Sequence, residues 1–201
     1  MNEIFDQGPE VEYAKIQLTK ELTLRTFKDH IDGVRVLFII ARKEVKGNKK
    51  MHKRISRNAE EFAQQLEELL IIQRESEIPL RIYSSVNSRD VNKAIRKFKE
   101  TQLQNDYDNE SNKLDFYCDV KNRFLSALMV PSSRSSRNFL IDIDDPAQLD
   151  KCKEVLSPLT EILLEYPTKN GFHLVVKPFN VSLLNLPDVT INKDGLMLLA
   201  Y

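Results

Sequence analysis

The stretch FLIDIDDPAQLD, residues 139–150, drives an apolar run straight into four acids. Side chains alternate across a strand, so over NFLIDID (138–144) Leu140, Asp142 and Asp144 share one face while Phe139, Ile141 and Ile143 point the other way. The rise of a strand sets the Cα atoms of the two aspartates about 7 Å apart. Asp145 has a structural use: followed by Pro146, it predicts an N-cap ahead of a proline at the first helical position. Leu149, Cys152, Val155 and Leu156 make the buried stripe of that helix, which Ser157-Pro158 ends. Asp144 lies at the strand's mouth, which leaves Asp142 without a local structural purpose.

Downstream, EILLEYPTKNGFHLVVKPF (161–179) has two apolar runs around Asn170-Gly171, a pair that tolerates positive φ and so predicts a hairpin. On its second strand His173, Val175 and Lys177 share a face. The tail VTINKDGLMLLAY (189–201) predicts a turn at Lys193-Asp194-Gly195 and a short terminal strand. Upstream, GVRVLFIIARK (33–43) and IPLRIYSSV (78–86) read as strands. Between them Ser56 is expected to cap a helix that buries Ala59, Phe62, Leu66, Leu69 and Leu70 and ends near Glu75. Ser88 and Asp90 are expected to open a second helix with Val91, Ile95, Phe98 and Leu103 facing inward, and QNDYDNESNK (104–113) reads as a surface excursion. A third helix is predicted over 114–130, stopped by Pro131. Strand and helix alternate in this way, which predicts an α/β (α+β) fold: a mixed sheet with flanking helices in a single domain over 1–201.

Length and composition agree with that reading. The chain has 201 residues, 41% of them hydrophobic and 30% charged, enough for one substantial core. Its longest apolar runs are far too short for a membrane span, and the first residues lack the basic-then-apolar layout of a signal peptide, so a cytoplasmic protein without a membrane partner is expected. Cys118 and Cys152 lack the spacing of a disulfide framework or a zinc site. Thirty basic and thirty acidic residues cancel, so any polyanion must be held by a local patch. ARKEVKGNKKMHKRISR (41–57) supplies one, with Lys49, Lys50, Lys53 and Arg54 among its cations, and reads either as a solvated loop or as a phosphate contact. Arg134 and Arg137 in SSRSSRN (132–138) form a smaller patch beside the acidic strand, where ion pairing is the competing reading.

Two like charges on one strand face repel unless a divalent cation neutralises both. Mg²⁺ or Mn²⁺ suits such a pair, because hard cations take a few carboxylates together with phosphate oxygens. A lone histidine on an apolar strand is usually a satisfied core residue. His173, however, follows Thr168, Lys169, Asn170 and Gly171, which offer a hydroxyl, an ammonium and turn N–H groups to a polyphosphate.

Taken together, FLIDIDD and the later YPTKNGFHLVV resemble the paired motifs of the archaeo-eukaryotic primase superfamily, which includes the primase-polymerases. In that family an apolar strand ends in two acids that hold divalent metals, and a motif of small hydroxyl, glycine and histidine on the next hairpin binds nucleotide phosphates. The resemblance implies metal ligation by Asp142 and Asp144, and triphosphate contacts from Thr168 and His173. Lys169 and Asn170 join the nucleotide contacts on local chemistry alone. The family's third acidic motif is missing in its usual form; Asp188 and Asp194 are the candidates, and Asp194 is preferred because apolar segments surround it. The likeness covers residues 138–178 and, more loosely, RIYSSVNSRDVNKAI (81–95), and it implies a minimal or partly degenerate member. Residues 30–104 would then be an N-terminal strand and helix half, and 114–201 the metal and nucleotide half. The expected activity is nucleotidyl transfer from nucleoside triphosphates, as template-directed or terminal addition, with single-stranded DNA or RNA as the template and Asp142, Asp144 and His173 as catalytic residues. Lys49, Lys50, Lys53, Arg54, Arg134 and Arg137 would meet the template. The alternatives are an inactive nucleotide- or nucleic-acid-binding module of the same fold, and a metal-dependent nuclease or phosphohydrolase.

Overall fold

β1 (Gly33–Ala41) is buried on both faces, and the first half of the protein is arranged around it. In the computed structural model, residues 33–41, 51–108, 119–168 and 170–200 are described. Leu37, Ile39 and Ala41 meet Phe62, Leu66, Leu69 and Leu70 of α1 (Ala59–Arg74) on one side. Val34, Val36 and Phe38 meet Ala94 of α2 (Val91–Asp108) and Leu125 and Leu128 of α3 (Val120–Met129) on the other. The remaining strands of this half are β2 (Met51–Ser56), β3 (Leu80–Ser85) and the two-residue β4 (Arg89–Asp90).

The second half contains β5 (Phe139–Ile143), α4 (Leu149–Leu156), β6 (Ile162–Pro167), β7 (Phe172–Val176), β8 (Val189–Asn192) and β9 (Leu196–Ala200). The strands divide between two antiparallel sheets, β2-β1-β3-β9 with β4 on the end of β1, and β6-β7-β5-β8. Both β5 and β6 run antiparallel to β7 between them, so they are parallel to each other and α4 connects them as a split β-α-β unit. Ile141, Ile143, Leu174 and Val176 pack on Cys152 and Leu156 of α4. The opposite face carries Leu140, Tyr166 and Val175, which pack on Val86 and Met197 of the first sheet. Mixed α/β architecture is therefore present, with helices over both sheets. No helix among the described residues is long and apolar enough to cross a membrane.

Several local expectations change. Residues 51–56 of the basic stretch form β2, in register from Ile40↔Met51 to Arg35↔Ser56, where a loop was expected. An edge strand accepts this composition, since exposed lysine and arginine discourage further strand pairing. Lys49 and Lys50 lie outside the described residues. Asn58 caps α1 by accepting from the Glu61 N–H at 2.9 Å, while Ser56 is buried and donates to Gln65 Oε1 at 2.8 Å. In α2 the inward face is Val91, Ala94 and Phe98; Ile95 is 37% exposed and Leu103 59% exposed. The helix also runs on to Asp108, past the expected turn at 104. Residues 114–118 of the third predicted helix, and Cys118 with them, lie outside the described residues, and α3 covers 120–129.

The hairpin forms as expected, though glycine is needed for another reason. Asp188 is the one non-glycine residue with positive φ among those described, so Asn170 does not use that freedom. At Gly171 a Cβ would sit 1.9 Å from the carbonyl oxygen of Ile143. Neither backbone can yield, so Gly171→Ala should cost about 3 kcal/mol or more and lower the thermal midpoint by about 10 °C, read by calorimetry.

Candidate functional site

Three adjacent strands of the second sheet bring one residue each into a row. Asp142 on β5 faces His173 on β7, and His173 faces Tyr166 on β6. His173 Nε2 lies 3.0 Å from Asp142 Oδ1, and the Tyr166 hydroxyl lies 2.6 Å from His173 Nδ1. The two rings meet edge to face at 88°, with centroids 5.1 Å apart. Tyr166 and His173 are buried at 7% and 6% exposure, while the Asp142 side chain is more open at 37%. Burial first, and then the charge of Asp142, push the Tyr166 phenol well above its usual range, so it keeps its proton.

The row opens on a cleft of about 380 Å³ between the sheets. Asp142, Asp144, Thr168, Asn170 and His173 line one wall; Arg81 and Tyr83 of β3 and the start of β9 line the other. Asp144 is exposed at the mouth, and its N–H donates to the Asp188 carbonyl at 3.0 Å. The Thr168–Gly171 turn is closed from both sides: the Thr168 N–H donates to the Gly171 carbonyl at 2.8 Å, and the Gly171 N–H donates to Thr168 Oγ1 at 3.1 Å. The Thr168 O–H is left to donate elsewhere. Lys169 lies outside the described residues.

The two motifs therefore converge, with the imidazole on the same sheet face as the acids. Asp194 does not join them. It forms a two-pronged pair with Arg89, at 2.8 and 2.9 Å, and accepts from Asn87 Nδ2 at 3.2 Å. This fork sits where the chain leaves β8 for β9. Asn87, itself buried, also holds the Asn138 backbone through its N–H at 2.6 Å and its carbonyl at 3.0 Å. Asp188 contributes a backbone carbonyl to the site's edge. Arg134 donates to the Pro131 and Lys193 carbonyls at 3.0 and 2.7 Å, and its Nε lies 4.0 Å from Asp194 Oδ2, which supports the ion-pairing side of its reading. Arg137 is exposed. Lys53 shares a sheet face with Tyr83 but lines a neighbouring apolar groove with Phe38, Ile40 and Met129, and Arg54 lies on the same edge strand.

No group of three or more metal-ligating side chains exists among the described residues. The donor set is two carboxylates beside neutral oxygens, which fits one hard cation whose other ligands come from phosphate or water. It does not supply a three-acid, two-metal site. Arg81 and Tyr83 had no sequence signal beyond alternation on a strand. Tyr166 had none: counted symmetrically from Asn170-Gly171, His173 would face Thr168, whereas the register pairs it with Tyr166. No protein family, curated protein or solved structure matches the chain.

Arg89 is fully buried and Asp194 is its partner. Removing one member of such a pair strands the other, so Asp194→Ala should cost about 3–5 kcal/mol in denaturant unfolding. Mn²⁺ affinity of the folded fraction should stay within about twofold, since neither Arg89 nor Asp194 lines the cleft.

Proposed function

We propose that the cleft binds a nucleoside triphosphate with a divalent cation, Mg²⁺ or Mn²⁺, and that the protein is a nucleotidyltransferase of primase-polymerase type. The observation that carries this reading is the convergence of Asp142, Asp144 and the Thr168–Gly171 turn with His173 in one cleft, facing Arg81. Acids alone repel a triphosphate, and a cationic wall alone would not need them. A cleft with carboxylates on one side and a guanidinium on the other suits a ligand that is itself a cation and a polyanion together.

Asp142 and Asp144 would hold the cation, which when bound neutralises phosphate charge and favours attack by a 3′-hydroxyl. The Thr168 hydroxyl and His173 Nε2–H would donate to phosphate oxygens, and Asn170 stands at the same mouth. Arg81 has no ion-pair partner among the described residues and would take phosphate charge from the opposite wall. Tyr83 beside it offers an aromatic face to a base. Of the template contacts expected from sequence, Arg137 keeps an exposed side chain, and single-stranded DNA or RNA remains the proposed partner. A cytoplasmic setting belongs to the same proposal.

Engagement of Asp194 by Arg89 favours a second reading, a module that binds nucleotide without turnover, because the site then lacks a third carboxylate. One experiment separates the two. The pure chain is incubated with primed template, labelled nucleotides and Mn²⁺, and triphosphate binding is followed by calorimetry. Extension that falls about 100-fold or more in Asp142→Ala supports transfer; binding with no extension supports the second reading. Neither binding nor product, or equal product from Asp142→Ala, overturns both.

A further inference from the structure

We infer that Tyr166 is a positioning residue that fixes His173 as an Nε2–H donor, which assigns the imidazole to an anion and excludes it from metal ligation. The anion's identity as a phosphate rests on the reading proposed above; the donor assignment does not.

A neutral imidazole has one N–H and one lone pair, and the partner of one nitrogen decides the state of the other. Nε2 stands 3.0 Å from a carboxylate oxygen, which can only accept, so Nε2 must bring the proton. Nδ1 is then an acceptor, and the 2.6 Å contact to the phenol requires Tyr166 to donate. Burial of the phenol beside Asp142 supports this direction by keeping its proton in place. The chain of donors runs one way, from the Tyr166 hydroxyl through the ring to Asp142. The opposite tautomer would set the Nε2 lone pair against carboxylate lone pairs.

Two consequences follow. The Nε2 lone pair that a metal would need is already used by a proton, so a cation at Asp142 is held without help from His173. When such a cation draws on Asp142, Tyr166 still holds the ring, and Nε2–H stays aimed into the cleft for an anionic oxygen. The two rings meet edge to face in a buried site, which restrains the imidazole from turning over. His173 is thus a donor prepared in advance, with its second partner set back from the ligand.

The test uses the whole chain with ¹⁵N-labelled histidine at a pH where the ring is neutral, His173 being assigned by its loss in His173→Gln. The expected spectrum has the proton on Nε2 in the native chain and in Asp142→Ala, and an Nδ1 resonance that moves towards the free-acceptor position in Tyr166→Phe. A proton on Nδ1 in the native chain, or no movement in Tyr166→Phe, would overturn the inference. Mn²⁺ titration followed by electron paramagnetic resonance should give affinities for His173→Gln and Tyr166→Phe within about twofold of native, and a loss of about tenfold in His173→Gln would make the histidine a ligand and overturn it too. Triphosphate affinity should fall about three- to tenfold in Tyr166→Phe, and not further when Tyr166→Phe is added to His173→Ala. Failure of the native chain to bind triphosphate strikes the nucleotide reading alone, since the nitrogen spectrum still decides the donor assignment.

Discussion

The ion pair between Arg89 and Asp194 joins the two sheets of this protein. Arg89 sits in the short strand that closes the end of β1, and Asp194 in the turn that carries the chain from the edge of one sheet to the edge of the other. Asn87 binds the same carboxylate and the backbone at the entry to β5, so three remote segments share one polar knot. Arg35 lies near it, buried, donating to the Ser85 and Val86 carbonyls at 2.7 Å. Burial and then the charge of Arg89 hold its pKa down to about 10. A buried guanidinium needs a compensating charge, and Asp194 supplies that of Arg89. An acid with that duty is a poor candidate for any other.

The cleft opens where β5 and β7 stand against β3 and β9, beside this knot. Gly195 shows how close the approach is: a Cβ there would come within 3.0 Å of both the Leu140 and the Asn192 side chains. Below that contact Leu140 and Val175 pack on Met197, and above it the walls part to leave Asp142 and His173 facing Arg81. The apolar inter-sheet core and the polar site are thus successive levels of the same face, set by alternation along β5 and β7.

What could be read in the sequence was whatever depends on short spacing. The two-residue period of FLIDI placed Asp142 on a face with Leu140, and the turn residues Asn170 and Gly171 located the hairpin. The Asp145-Pro146 start was also legible, and Asp145 accepts from the Ala147 N–H at 3.0 Å. β2 was missed because its lysine and arginine content resembles a loop, although an edge strand tolerates it. The inward face of α2 was misplaced because Ala94, small and unremarkable, packs where the larger Ile95 was expected. The role of Asp194 had no local signal, since Arg89 is 105 positions away. Arg81 and Tyr83 were equally hidden, because nothing along a strand tells which second sheet will lie across it.

Gly171 has a mechanical meaning as well. The missing side chain lets the hairpin's tip rest on the carbonyl of Ile143, the residue immediately before Asp144. With no side chain between them, the turn and the end of β5 meet backbone to backbone, so the spacing between the hairpin's tip and the carboxylate at the mouth is set by main chain alone.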